Sequence, residues 1–216
     1  MMGVSEGKGM LTKEQYLADP CRASSLPLWK AKSIVVPEVT NILHQDEYDK
    51  AMNQQYTDEP YFRLIHKLKG LTESVPPQGY SLCKATLSEY AAHINSCYDG
   101  IGITQEELGQ YTLRPVYDAA LWLAVRDDCT GAIVATGVAE LDCEIGEGIL
   151  EWIQVSHGHR GKGLGRYIVS ELLLRMKGKA GFATVSGQCN NPTNPERLYR
   201  KCGFTGNDVW HILRKV

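Results

Sequence analysis

The segment from Ile149 to Met176 constrains most strongly what this chain can fold into. It begins with an apolar run rich in β-forming residues, Ile149 to Val155, and then reaches a turn of glycines and basic residues, Arg160-Gly161-Lys162-Gly163-Leu164-Gly165. After the turn, apolar side chains recur every three or four positions, as on one face of a helix. The pattern therefore predicts a buried strand, a tight turn and a helix over 161–177 that packs on a sheet.

The turn has the chemistry of an anion site. The first N–H groups of a helix lack partners within the helix, and the helix dipole adds positive potential there. Glycines let a phosphate approach the backbone, and basic side chains add full charge. The predicted pyrophosphate contacts are Arg160, Gly161, Lys162, Gly163, Leu164, Gly165 and Arg166. The alternative is a turn that serves only close packing.

The spacing of the turn excludes two familiar phosphate motifs. A Walker loop ends in Gly-Lys-Ser/Thr, whereas here Gly163 follows Lys162. A dinucleotide fingerprint requires Gly-x-Gly-x-x-Gly, and here the third glycine, Gly165, falls one position early. What remains is the pattern Arg-x-x-Gly-x-Gly, which starts at Arg160.

This pattern resembles the Arg/Gln-x-x-Gly-x-Gly/Ala signature of the GCN5-related N-acetyltransferases, the GNAT superfamily. A second motif agrees in order and spacing, because Leu198-Tyr-Arg-Lys-Cys-Gly-Phe204 resembles the Leu-Tyr-x-x-x-Gly-Phe ending of that family. The stretch 119–139 resembles its central hairpin. The resemblance covers residues 78–216 and implies an α/β (α+β) fold of the GNAT acyl-CoA N-acyltransferase type, with a mixed, mostly antiparallel sheet flanked by helices.

The periodicity and the turn residues divide the chain in two. The break at Val75-Pro-Pro-Gln-Gly79 separates an N-terminal extension, residues 1–77, from an acetyltransferase domain, residues 78–216. The extension is predicted to be partly helical, over 45–55 and 60–68, since Phe62, Ile65 and Leu68 would share a helix face. Its aromatic and acidic side chains suit a pocket for a cationic amine. We favour the other interpretation, a helical cover over the sheet or the contact of a homodimer.

In the domain itself, we expect alternating strands and helices. Strands are predicted over 80–84, 119–126, 131–141, 149–156, 181–189 and 208–215. Helices are predicted over 86–98, 105–110, 161–177 and 195–202.

Charge and cysteine usage exclude several classes of function. A net charge of −2 and a pI near 6.3 argue against binding to nucleic acid or to an acidic membrane surface. The first 13 residues contain neither a signal-peptide core nor a spanning segment. Seven scattered cysteines without a C-x-x-C pair are typical of reduced thiols in the cytoplasm. His157 and His159 have no nearby cysteine or carboxylate, so no metal site is expected.

Acetyl transfer to an amine requires a group that takes the amine proton, and Glu151 is the candidate. It is the only charged residue in the apolar run 149–155, where burial would raise the pKa of a carboxyl group. The resemblance likewise points to a base on this strand. The alternative is a buried carboxylate that pairs with a lysine or arginine. The rival bases are Glu140, Asp142, Glu144 and Glu147.

The resemblance implies the remaining roles. Tyr199 would be the acid beside the coenzyme sulfur; its alternative role is aromatic packing. Gln154 and Val155 would bind the pantetheine arm through their main chain, as an added strand does. Asn191 would contact the cofactor, although it is displaced by one residue from the family position.

These observations together predict an acetyl-CoA-dependent N-acetyltransferase located in the cytoplasm. Acetyl-CoA (coenzyme A) would be the co-substrate, and the acceptor would be a primary amine of a small molecule. Transfer would be direct, in a ternary complex. The alternative function is a non-catalytic acyl-CoA-binding module that acts through a partner.

Overall fold

The computed structural model describes residues 11–33, 40–98, 100 and 102–215, and its centre is one eight-stranded sheet. The strands follow the order β1-β8-β2-β7-β6-β5-β4-β3. Their bounds are Thr40–His44 (β1), Tyr56–His66 (β2), Tyr80–Cys83 (β3), Trp122–Asp127 (β4), Ile133–Asp142 (β5), Glu147–Val155 (β6), Phe182–Gln188 (β7) and Thr205–Lys215 (β8). All described neighbours pair antiparallel except β6 and β7, which are parallel. The mostly antiparallel α/β sheet expected from the sequence is therefore confirmed.

Helices cover both faces of the sheet. Their bounds are Lys13–Ala18 (α1), Pro20–Ala23 (α2), Leu28–Ser33 (α3), Leu87–Cys97 (α4), Gln105–Tyr111 (α5), Leu164–Met176 (α6) and Pro195–Lys201 (α7). None of the helices in the described ranges is long and apolar enough to cross a membrane.

The helix α6 packs directly on the centre of the sheet. Its apolar stripe, predicted from the sequence, is buried against β5 and β6. Two strand glycines permit this close approach, since a Cβ atom at Gly137 would overlap Ile168 and one at Gly148 would overlap Met176. On the opposite face, α4 and α5 cover the β4–β6 part of the sheet, where Val138 packs with Tyr90.

The helix predicted over 60–68 is wrong, because this segment belongs to the strand β2. Phe62, Leu64 and His66 alternate as the buried residues of one face, whereas the sequence interpretation relied on the three-residue spacing of Phe62, Ile65 and Leu68. The helix predicted over 45–55 is reduced to a 3-10 turn, Lys50–Gln54, that leads into β2.

Pro60 lies within β2, although proline is usually confined to the edge of a sheet. Its carbonyl accepts a hydrogen bond from Cys189 N (2.9 Å), so its nitrogen also faces the β7 side. The ladder with β7 begins only one residue later, at Tyr61. The N–H that proline lacks is therefore not required there.

The predicted division at residue 77 cuts through the sheet. β2 pairs with both β7 and β8, so the described part of the N-terminal extension supplies a central strand rather than a separate helical unit. The three short helices α1–α3 do form a cover over one face. The extension is partly helical, but its helices are α1–α3 and not those predicted over 45–55 and 60–68, and the strands β1 and β2 were not predicted.

A buried ionic network attaches the N-terminal helices to the sheet. Arg63 of β2 lies 3.5 Å from Glu147 of β6, and both side chains are buried. The Tyr16 hydroxyl of α1 donates to Glu147 (2.7 Å) and accepts from Arg63 (2.8 Å). Arg63 also donates to the carbonyls of Pro20 (3.4 Å) and Ser25 (3.3 Å). A single guanidinium therefore fixes the position of the segment that precedes α3.

Candidate functional site

The strands β6 and β7 separate before they end, and this gap is the main feature of the site. Their parallel ladder runs from Glu147 to Leu150 on β6, whereas β6 continues to Val155. In the described chain, the second half of β6 thus has β5 as a neighbour on one side and the gap on the other. A strand with free peptide groups on one side can take up an extended ligand as an added strand.

The peptide groups that face the gap belong to Ile153 and Val155. Ser156 N donates to β5 (2.9 Å), and main-chain direction alternates along an antiparallel strand. Ser156 and Gln154 therefore direct their peptide groups towards β5, and Ile153 and Val155 direct theirs into the gap. A main-chain contact of the cofactor at Gln154, as the resemblance implies, does not fit this direction, and the peptide group of Ile153 faces the gap instead.

The gap opens into a cavity of about 570 Å³, here called the gap cavity. Its walls are the end of α4 with Cys97 and Tyr98, the β6 residues 153–155, the loop 191–195, and α7 with Leu198 and Tyr199. The sequence candidates Gln154, Val155, Arg160, Gly165, Asn191 and Tyr199 all line it. The structure therefore brings together residues that are up to 45 positions apart in the sequence.

The glycine turn leads from β6 into α6, as predicted. Gly161 and Gly163 have positive φ angles of 78° and 87°, which favour glycine, and Gly163 is the N-cap of α6. No side chain of the described residues caps this helix, so the N–H groups of Leu164, Gly165 and Arg166 remain available to an anion. Gly165 lies against α7, where a Cβ atom would come within 3.2 Å of Leu198.

The three basic residues of the turn differ in their surroundings. Arg160 Nε donates to the Val155 carbonyl (3.2 Å), which leaves the Val155 N–H facing the gap. Lys162 Nζ donates to the Tyr80 hydroxyl on β3 (3.1 Å). Arg166 is exposed in the first turn of α6. Arg166 is therefore best placed to add charge beside the free N–H groups.

Asn191 lines the gap cavity, but its side-chain oxygen is already engaged. It accepts hydrogen bonds from Thr193 N (2.9 Å) and Thr193 Oγ1 (2.7 Å). Asn194 caps α7 by accepting from Arg197 N (3.2 Å), with Pro195 as the first helical residue. The loop between β7 and α7 is thus held in shape by its own side chains.

Tyr199 is buried at the inner end of the gap cavity. Its ring packs against Phe62 (6.2 Å between centroids) and Phe204 (5.7 Å), and burial raises the pKa of its phenol above the ordinary value. Such a phenol stays protonated at neutral pH and can donate a hydrogen bond. Both of the roles weighed for Tyr199, packing and donation, are compatible with this position.

Glu151 lies in a β-bulge of β6. The register with β5 shifts between Val138 and Ala139, which face Trp152 and Leu150, so Glu151 has no direct partner on β5. Bulges re-aim side chains beside functional sites. Here the Glu151 carboxylate forms a 2.5 Å ion pair with Lys30 of α3. The pairing with a lysine that the sequence left open as the alternative is thus present.

The rival carboxylates have different surroundings. Glu140 is buried beside Glu151 and accepts a hydrogen bond from Arg114 (2.6 Å); burial and the Glu151 charge raise its pKa. Glu147 belongs to the buried ionic network, and Asp142 accepts from the main chain of the exposed Glu144. Glu140 and Glu151 therefore form the carboxylate pair of this region, with Lys30 and Arg114 as counter-charges.

A second cavity, of about 440 Å³, lies where the β6–β7 ladder ends; we call it the N-terminal cavity. Its floor is the sheet face with Tyr61, Ile149, Trp210 and Ile212. Its roof is the segment Ser25–Pro27 together with Lys30. Glu151 lines this cavity and Tyr199 lines the gap cavity. The sequence had no signal for Lys30 or for this roof, since neither lies in a recognisable motif.

A buried polar chain supports the β5–β6 side of the gap cavity. His93 of α4 bonds Thr136 (2.9 Å) through Nδ1 and Ser156 (3.0 Å) through Nε2, and Gln154 Nε2 donates to Thr136 (2.6 Å). Burial lowers the pKa of His93 below its ordinary value of 6.5.

This burial makes stability depend on pH. The unfolded state takes up a proton near pH 6.5 while folded His93 remains neutral, so the free energy of unfolding falls as the pH drops below 6.5. We expect His93→Gln to reduce this slope by up to about 1.4 kcal/mol per pH unit. Urea unfolding of both proteins between about pH 7.5 and 5 measures it. An unchanged slope in the variant would contradict the assignment.

The comparisons with known proteins agree with this geometry. Residues 117–206 match the family model of the acetyltransferase (GNAT) domain. A GCN5-related N-acetyltransferase from Sphaerobacter thermophilus superposes with a TM-score of 0.63 at 21% identity, over 77% of this chain and 55% of that one. This chain thus spans a little over half the length of that protein. A GNAT-family acetyltransferase from Colwellia psychrerythraea gives 0.59 at 15% identity, over 87% and 69%.

A third structure, a GCN5-related N-acetyltransferase from Kribbella flavida, gives a TM-score of 0.52 at 19% identity, over 82% of this chain and 67% of that one. No curated protein matches the sequence. At these identities the structures share a fold with this chain, and the family model matches residues 117–206 only. The chain therefore has the fold of the GCN5-related N-acetyltransferases, with a match to the GNAT domain over residues 117–206.

Proposed function

We propose that this chain is an acetyl-CoA-dependent N-acetyltransferase that acts on a primary amine of a small molecule, by direct transfer in a ternary complex. One observation carries the proposal. The gap between β6 and β7 leads directly to the uncapped N-terminus of α6, so an extended arm and a pyrophosphate could bind at once. Acetyl-CoA has these two parts and supplies an activated acetyl group.

Each step of the transfer has a candidate group. The gap-facing N–H groups of Ile153 and Val155 would polarise the thioester carbonyl. Glu151 would take the proton from the amine, and Tyr199 would donate a hydrogen bond to the departing thiolate. Because the phenol of Tyr199 has a raised pKa, hydrogen-bond donation is favoured over full proton loss. Direct transfer needs no covalent acetyl-enzyme, and both cavities border β6.

Calorimetry with acetyl-CoA, coenzyme A, ATP and NAD tests the cofactor. We expect binding of the two coenzyme A forms and a loss of about 100-fold in Arg166→Glu, because the new carboxylate repels phosphate at the helix N-terminus. An acidic residue in a first helical turn does not weaken the helix, so the fold should persist. Gly163 is a poorer target, since its φ of 87° makes any side chain strained.

The matched control is Lys84→Glu. It makes the same change of charge at an exposed residue that follows β3, at the opposite end of that strand from Tyr80. Equal losses in both variants would contradict a specific phosphate site. Binding without transfer to any amine would support the alternative, an acyl-CoA-binding module. Preferential binding of ATP or NAD would contradict both functions.

A further inference from the structure

The N-terminal cavity lies at the point where an amine must approach. Its floor includes the β6 residues 149–151, directly before the gap-facing peptide groups that begin at Ile153. Two residues along a strand span about 7 Å. A group bound at Glu151 is therefore close to the place proposed for the thioester. It approaches from the amino-terminal half of β6, whereas the phosphate turn follows the carboxyl end of that strand.

The charged side chains that line this cavity already have counter-charges. Arg63 lies beside Glu147 (3.5 Å), Arg214 pairs with Glu59 (2.6 Å), and Lys30 pairs with Glu151 (2.5 Å). A ligand carrying a carboxylate or a second ammonium would lose its hydration without gaining an unpaired partner. The remaining walls favour an uncharged body.

Those walls are largely apolar and aromatic. Leu26 and Pro27 form the roof, and Ile149, Trp210 and Ile212 lie on the floor. The Trp210 ring is held in place because its Nε1 donates to the Cys21 carbonyl (2.8 Å). A cavity of about 440 Å³ accommodates one aromatic ring or a branched alkyl group with a short linker.

Of the three ion pairs just named, only Lys30–Glu151 has a carboxylate that itself lines the cavity, so an incoming ammonium can take the place of the Lys30 ammonium there. The Lys30 side chain is 21% exposed and has a flexible stem, so its ammonium can move into water. In its present position Nζ already lies 5.4 Å from the Trp29 ring, which does not line the cavity, so a movement towards that ring would keep the charge in a favourable contact.

We propose that the N-terminal cavity is the acceptor site, and that it takes a primary amine on an uncharged aromatic or branched aliphatic body, whose ammonium replaces that of Lys30 at Glu151. The inference rests on the proposed function. In the reaction Glu151 takes one proton from the bound ammonium, the neutral nitrogen forms a bond to the acetyl carbon, and the carbon–sulfur bond breaks. The thiolate leaves with the sulfur electrons, accepts a hydrogen bond from Tyr199 and takes up, through solvent, the second proton that the nitrogen loses as the amide forms. Glu151 then returns its proton to solvent.

Calorimetric titration of the coenzyme A-saturated protein tests the substrate class without requiring turnover. Phenethylamine and isoamylamine should bind at least about 10-fold more tightly than spermidine or phenylalanine, which carry extra charges. Glu151→Gln should weaken phenethylamine binding by about 10-fold or more, because the amide offers no charge to the ammonium. Tighter binding of spermidine or phenylalanine would overturn the proposal.

Lys30→Met tests the replacement step. Removing the internal ammonium should tighten phenethylamine binding by about 10-fold, because the amine no longer competes with it. The control is Lys32→Met, the same change at an exposed residue of α3. Equal affinities in the two variants would overturn the proposal, and the amine series in the unmodified protein decides the matter if Lys30→Met does not fold.

The two proposals fail in different ways. If the protein does not bind acetyl-CoA, the proposed function is wrong. If acetyl-CoA binds and acetyl transfer occurs, but to charged acceptors or without dependence on Glu151 and Lys30, only the acceptor assignment is wrong.

Discussion

Replacing Glu147 by glutamine is expected to lower the free energy of unfolding by about 3–5 kcal/mol, because it removes the counter-charge of the buried Arg63 guanidinium. Arg63 is 2% exposed and Glu147 is fully buried. Glutamine preserves the shape of the side chain, but its neutral amide cannot balance the charge of the guanidinium. In the unmodified protein the Thr184 and Tyr16 hydroxyls donate hydrogen bonds to the Glu147 carboxylate, and the NH₂ group of glutamine, itself a donor, cannot accept them.

Urea denaturation measures this effect, with Glu144→Gln as the control. Glu144 is a glutamate in the same β5–β6 hairpin but is exposed, so its substitution should change stability by less than about 0.5 kcal/mol. A double variant, Arg63→Met with Glu147→Leu, should recover most of the loss, because well-packed apolar residues can replace a buried ion pair. If Glu147→Gln is as stable as its control, the network does not hold the N-terminal helices.

The second large effect is expected for Glu151→Gln, which should lower kcat by about 10²–10⁴-fold, as the loss of a general base does. The amide keeps the size of the side chain but cannot accept the amine proton. The affinity for acetyl-CoA should stay unchanged, because the gap cavity and the phosphate turn do not include Glu151. Steady-state kinetics with phenethylamine, together with calorimetry of acetyl-CoA, separate the two effects.

Glu140→Gln is the informative comparison for the base. Glu140 lies beside Glu151 but does not line the N-terminal cavity, and it is bonded to Arg114. We therefore expect a smaller loss of kcat than in Glu151→Gln. If the Glu140 variant is instead the inactive one, the base is Glu140, and Glu151 acts only as the counter-ion of Lys30.

The phosphate turn could be predicted because its information is local. The glycines at 161 and 163 have the positive φ angles that their type permits, and the apolar spacing of α6 follows directly from helix geometry. Tyr199 could be expected near the turn because it belongs to the second of two short motifs with the correct separation, and both motifs contribute residues to the gap cavity.

The strand β2 could not be predicted in the same way. Phe62, Ile65 and Leu68 mimic a helix face, and Pro60 argues against a central strand. The segment is a strand because its partners, β7 and β8, come more than 100 residues later. Periodicity within a short window contains no information about such partners.

The environment of Glu151 shows the same limit. Its burial could be expected from the apolar run, but the bulge that re-aims it depends on the register with β5. Its counter-ion, Lys30, lies 121 residues earlier, on a helix that the ionic network around Arg63 holds in place. The acceptor side of the site is therefore a property of the tertiary structure.

The central position of β2 has a consequence for biosynthesis. On the ribosome β2 emerges more than 100 residues before both of its sheet neighbours, β7 and β8. Until then its peptide groups and its apolar side chains at Phe62 and Leu64 remain without their sheet partners. Folding should therefore be slow, because β2 can complete the sheet only after translation has reached β8.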